Sequence, residues 1–101
     1  MKQNKITRSA IGQTCTLRLG NCSGDDTVIL AHLGLKRGWA IKSHDIHSCY
    51  ACHACHLIEE DKSDERCTWA DRFRAMEETQ LIMIAKGLIK VEGKKDVGWL
   101  S

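Results

Sequence analysis

The feature that most constrains this chain is its concentration of cysteine and histidine. The ten residues His47-Ser-Cys49-Tyr-Ala-Cys52-His53-Ala-Cys55-His56 hold three of the six cysteines and three of the five histidines. Around them the chain has only 101 residues, and aromatics make up 5% of it. A chain of that length is one domain, 1–101, with a thin aromatic contribution to its core. Domains this small often need a staple, either disulfides or a metal.

Other features narrow the class. Apolar residues make up 43% and charged residues 28%, the balance of an ordinary globular protein. The longest strictly apolar run, Leu81–Ala85, is far too short to span a bilayer. The N-terminus has no apolar stretch after its positive residues, so no secretory signal is expected. The expected compartment is cytoplasmic and reducing, where six cysteines point to metal or redox chemistry before disulfides. A formal charge of +2 is too mild to announce a nucleic-acid binder by itself.

Along the chain, residues 1–9 are polar and expected to be loose. Cys15 and Cys22 flank a Gly20-Asn21 turn signal. Thr27–Leu33 is rich in β-branched and aliphatic residues and reads as a buried strand ending near His32. A polar loop from Gly34 to Asp45 carries Lys36, Arg37 and Lys42. A short helix is expected to continue from the Cys/His segment through Leu57–Lys62. Thr68 with Asp71 reads as a capping box opening a second helix that runs to Lys86 and stops at Gly87. The spacing suggests that this helix packs its Trp69/Phe73/Met76 side on the rest. Leu88–Val91 reads as a short strand or an extended tail.

The Cys/His segment can be parsed in several ways. Structural zinc takes four tetrahedral Cys or His ligands, and a Cys-x-x-Cys pair supplies two from one turn. Cys52/Cys55 and Cys49/Cys52 are equally good pairs on spacing, and Cys15/Cys22 can supply the other half. Cys49-Tyr-Ala-Cys52-His53 and Cys52-His-Ala-Cys55-His56 also match the attachment motif of c-type haem, which normally belongs to exported proteins. Cys49, Cys52 and Cys55 resemble part of a ferredoxin run, without the fourth Cys followed by Pro. A thioredoxin-like pair lacks its βαβ context. Zinc is the parse with the fewest objections. A cysteine pair, a strand ending in His32, a basic loop and a Cys-x-x-Cys-His helix start together give the order of parts of an HNH-type ββα-metal finger.

On these pieces the chain resembles the YbcO family, small prophage-associated proteins described as nucleases, within the His-Me finger group. The resemblance runs over about residues 10–90. It rests on Cys15 and Cys22, Leu30-Ala31-His32, Lys42-Ser-His-Asp45, Ala51–His56 and Met76–Lys90. It differs where Lys42-Ser43 replaces a Lys-Pro pair and where Leu57-Ile58 replaces an acidic pair. Aligned from Asp45, Cys52 and Cys55 fall on the family's Cys-x-x-Cys-His, and Cys49 becomes an extra cysteine.

The resemblance implies an α+β fold: a small zinc-stabilised ββα-metal domain with an added C-terminal helix. It implies a structural Zn²⁺ on Cys15, Cys22, Cys52 and Cys55, and a catalytic Mg²⁺ or Mn²⁺ on His56. Helical spacing puts Glu60 on the face of His56 as a second ligand or outer partner. His32 becomes the general base, and the acidic residue many relatives place just before it is replaced by Ala31. Asp45 is a possible support or loop anchor. The implied activity is metal-dependent hydrolysis of DNA phosphodiester bonds by a phage or prophage protein in a bacterial host. Lys36, Arg37 and Lys42 would contact phosphates, and Trp39 would stack on a base or pack the loop. Four thiolates and one Zn²⁺ would bring the formal +2 to neutrality, so DNA attraction would be local. Cys49, Cys67, His44, His47 and His53 are read as structural or incidental. The competing expectation is a zinc-stabilised DNA- or protein-binding module without catalysis.

Overall fold

The computed structural model describes residues 4–33, 44–61 and 63–92. Within them the chain forms α1 (Lys5–Arg8), a 3₁₀ turn (Asp25–Thr27), β1 (Ile29–His32), β2 (Ser48–Ala51), α2 (His53–Glu60) and α3 (Trp69–Ala85). The two strands pair antiparallel, with Ile29 opposite Ala51 and His32 opposite Ser48. A two-stranded sheet has little stability alone. Here every residue of β2 is buried, because α2 and α3 both pack on it.

Tyr50 shows how the sheet edge is closed without a third strand. Its carbonyl accepts from the Thr16 amide at 2.7 Å and the Thr16 hydroxyl at 2.9 Å. Its own N–H donates to Thr79 Oγ1 at 3.1 Å, and its phenol meets Ser9 Oγ at 2.7 Å. A buried backbone group left unpaired costs about 1–3 kcal/mol, so these polar partners from α3 and the N-terminal segment do the work of a neighbouring strand.

The β-branched stretch forms a strand only from Ile29, and Ile29 itself is exposed while Leu30 and Ala31 are buried. From Asn4 on, the first segment is folded rather than loose: Asn4 caps α1 by accepting from the Thr7 amide at 2.8 Å, and Ala10 is buried. Helix α2 stops at Glu60, short of Lys62. At Leu88–Val91 there is no strand.

Helix α3 begins and ends as its sequence dictates. Thr68 and Asp71 form a reciprocal capping box. Gly87 takes a left-handed φ of 73°, and Leu88 N donates to Met83 O at 2.9 Å while Gly87 N donates to Ile84 O at 3.0 Å. These are the two bonds of a Schellman stop. The packed face, however, is not Trp69/Phe73/Met76. Trp69 is 57% and Phe73 62% exposed, and the buried residues are Ala75, Thr79 and Met83; Met76 is half-buried. Small and polar side chains let α3 approach β2 closely and satisfy its backbone, which large aromatics would not.

Arg72 occupies the turn between these faces. It donates to the Glu59 carboxylate at 3.3 Å, the Glu59 carbonyl at 3.0 Å and the Cys67 carbonyl at 3.1 Å, and stacks 4.7 Å from the Trp69 ring centroid. Glu59 is fully buried, so removing the guanidinium takes a charged donor away from a carboxylate that water does not reach. Arg72→Met is expected to cost about 3–5 kcal/mol, whereas the adjacent Phe73→Ala stays within about 0.5 kcal/mol. Urea unfolding of the purified protein checks the contrast; equal losses would show that the buried pair is not an anchor.

Candidate metal centre and histidine site

Four sulfurs converge where the first loop meets the start of α2. The ligand atoms of Cys15, Cys22, Cys52 and Cys55 all lie within 4.8 Å of one another. Gly20 (φ 96°) and Asn21 (φ 52°) take the left-handed conformations that turn the loop back between its two cysteines. Cys52 and Cys55 come from the N-cap and first turn of α2.

The donor set is chemically that of a structural zinc site, and one edge of it already has the zinc spacing. Four sulfurs each about 2.3 Å from a tetrahedral centre stand about 3.8 Å apart, and Cys22 Sγ lies 3.8 Å from Cys55 Sγ. Backbone amides point at the sulfurs: Arg18 N to Cys15 at 3.5 Å, Leu19 N to Cys55 at 3.4 Å, and Ser23 N and Cys55 N to Cys52 at 3.5 Å each. Such donors favour thiolates over thiols. Burial pushes the Cys52 thiol up, but the hydrogen bonds from Cys55 and Ser23 outweigh it and bring it down to about 6. Burial pushes Cys22 and Cys55 up, as does their proximity to the other sulfurs. A doubly charged ion relieves that crowding by taking all four as thiolates.

Cys49 lies outside the cluster. It is fully buried and opposite Ala31 in the sheet; burial pushes its thiol up, as suits an inert core residue. The ambiguity between Cys49/Cys52 and Cys52/Cys55 is thus resolved by where α2 starts. Ser23 Oγ accepts from Ala54 N and Thr27 Oγ1 from His53 N, both at 3.1 Å, so the loop that carries Cys22 also caps the helix that carries Cys55.

Two of the five histidines pair with carboxylates. At the end of β1, His32 Nε2 lies 2.7 Å from Asp45 Oδ1. The other oxygen of Asp45 accepts from Asn4 Nδ2 at 2.8 Å. The bond to His32, with the Asn4 bond behind it, holds the Asp45 carboxyl below its usual range. On α2, His56 Nε2 lies 3.2 Å from Glu60 Oε1, and the buried His56 Nδ1 has no hydrogen-bond partner. Among the described residues, the four cysteines are the one gathering of three or more metal-ligating groups. Ala31 is buried, and the carboxylate beside His32 comes from Asp45, thirteen residues on.

Two further residues hold the Asp45 segment. Ser48 Oγ donates to the Asp45 carbonyl, and Gln80 Nε2, from α3, donates to Ile46 O at 2.6 Å. Neither Gln80 nor Asn4 stands out in the sequence as a site residue, because each meets its partner across at least 34 residues. Lys36, Arg37, Trp39 and Lys42 lie outside the described residues.

Residues 4–91 match the protein family described as "Putative nuclease YbcO". The chain belongs to the YbcO family. A solved structure described as "a putative bacteriophage protein" from Escherichia coli K-12 is 29% identical to this YbcO member, with a TM-score of 0.59; the match covers 80% of this chain and 98% of that one. A search of curated proteins finds no match. This YbcO chain is a small α+β domain with two antiparallel strands, helices and four clustered cysteines able to hold a metal. No described helix is long and apolar enough to cross a membrane.

The metal centre makes a direct prediction. The purified protein is expected to carry one zinc per chain, and Cys15→Ser or Cys55→Ser to lose it, while Cys49→Ser leaves the zinc content unchanged. Because release requires thiolates to take up protons, affinity should fall by about tenfold or more per unit of acidification. Elemental analysis and a chromophoric zinc competition between pH 7.5 and 5.5 check both; zinc retained by Cys55→Ser would rule out this ligand set.

Proposed function

We propose that this YbcO protein is a metal-dependent endonuclease of the His-Me finger type, hydrolysing DNA phosphodiester bonds. The observation that carries the reading is the His32–Asp45 pair at 2.7 Å, on the strand whose partner leads directly into the metal-cluster helix. Hydrolysis needs a base to take a proton from water and positive charge to offset that developing on the phosphoryl and leaving oxygens.

In this reading His32 is the base. Asp45 accepts from Nε2–H and so sets the tautomer in which Nδ1 carries the lone pair. The carboxylate also stabilises the imidazolium that forms once the proton has moved. His56 and Glu60 would hold a divalent Mg²⁺ or Mn²⁺; the approach of His56 Nε2 to Glu60 Oε1 at 3.2 Å supports this. Such an ion, when bound, would polarise the phosphoryl group and stabilise the leaving oxygen. Magnesium sites commonly use only one or two protein groups and complete their shell with water and substrate phosphate, so a two-residue protein contribution is chemically sufficient. The four cysteines keep Zn²⁺ in a structural role, since a closed four-sulfur set leaves no position for substrate.

Lys36, Arg37 and Lys42 would contact the DNA backbone. With the thiolates counted the protein is near neutral, so binding depends on this local patch and weakens with salt. The binding-module alternative keeps the same zinc set and phosphate contacts but lacks turnover.

A nicking assay on supercoiled DNA with Mg²⁺ or Mn²⁺ tests the proposal. The zinc-loaded protein is expected to nick, and His32→Ala to lose on the order of 10²–10⁴-fold in rate with its zinc content unchanged. DNA binding without nicking over a range of divalent ions would favour the binding module, and unaltered nicking by His32→Ala would remove His32 as base.

A further inference from the structure

We propose that Asn4 is a positioning residue for His32, acting through Asp45. The inference rests on the reading of His32 as general base, and the observation behind it is a continuous chain of side-chain bonds. The Thr7 amide donates to Asn4 Oδ1 at 2.8 Å, Asn4 Nδ2 donates to Asp45 Oδ2 at 2.8 Å, and Asp45 Oδ1 meets His32 Nε2 at 2.7 Å.

The chemistry of each link leaves little freedom. An asparagine amide has one accepting and one donating end. A backbone N–H on one side and a carboxylate on the other dictate which end is which. The two oxygens of Asp45 are each engaged by a different partner, so rotation of the carboxylate about its Cβ–Cγ bond would break both contacts. A carboxylate held in this way presents Oδ1 to the imidazole in one orientation, and the ring follows. Positioning a base in this manner is what converts a nearby group into an effective one.

The anchor for Asn4 is itself secured. It caps α1, and the segment after that helix is tied to the sheet by Ser9 Oγ against the Tyr50 phenol at 2.7 Å. Tyr50 lies on β2, opposite Leu30 and two residues from Ser48, which faces His32. The N-terminal turn is therefore braced on the same hairpin that presents the histidine. No other part of the reading uses α1, which contributes no buried residue of its own.

The test separates the cap from the positioning bond. Serine is as good an N-cap as asparagine, but its side chain is too short to accept from Thr7 and reach Asp45 together. In the full-length, zinc-loaded protein, Asn4→Ser is expected to keep zinc content and unfolding midpoint. It is expected to lower kcat for plasmid nicking about tenfold with KM unchanged, and to move the His32 ring ¹⁵N resonances from one tautomer towards a mixture. Asn4→Asp keeps the cap but sets a second carboxylate against Asp45, and should lower kcat further. Unchanged His32 resonances in both variants would overturn the proposal, whatever the nicking rates. If the unaltered protein nicked no DNA, the nuclease reading would fall, and the ¹⁵N measurement alone would decide whether Asn4 orients the pair.

Discussion

The convergence of four cysteine sulfurs is the constraint on which the rest of this small domain depends. Cys15 and Cys22 lie on the first loop, Cys52 and Cys55 at the start of α2, and an ion held among them would tie together segments 30 or more residues apart in sequence. Cys52 does a second job, since its sulfur caps α2 by accepting from Cys55 N. The helix start and the metal site are therefore one structure. That economy suits a chain with few aromatics, in which Tyr50 is the largest fully buried side chain among the described residues.

Around this staple the polar groups are spent on architecture. Arg72 is engaged with buried Glu59, Arg18 forms a two-bond contact with Glu78 at 2.8 Å, and Arg74 donates to the carbonyls of Thr16 and Leu17. The last two hold α3 on the loop that carries Cys15. A guanidinium committed in this way has less to offer a phosphate.

The histidine site sits on the same frame but is built by other elements. His32 ends β1, Asp45 precedes β2, Asn4 precedes α1, and Gln80 reaches from α3 to the carbonyl beside Asp45. Ala31, where an acidic neighbour would be expected, instead packs in the core opposite Cys49. The carboxylate beside His32 comes instead from Asp45, thirteen residues on.

Much of this could be read from the chain by itself, where the determining interactions are local. The capping box at Thr68, the stop at Gly87, the Gly20-Asn21 turn and the Cys52-His-Ala-Cys55-His56 helix start all act within a few residues, so residue type and spacing determine them. Tertiary structure alone decided which cysteines converge, because Cys49 and Cys55 are equivalent in spacing to Cys52 and differ only in lying on β2 or on α2. It also decided the buried face of α3, where Ala75, Thr79 and Met83 prevail over Trp69 and Phe73. An apolar count favours the aromatics, but close approach to β2 and the Tyr50 N–H, which donates to Thr79 Oγ1, favour small and hydroxyl side chains. The partners of His32 belong to the same class: a hydrogen bond across 13 residues to Asp45, and from there across 41 to Asn4, exists only once the chain has folded.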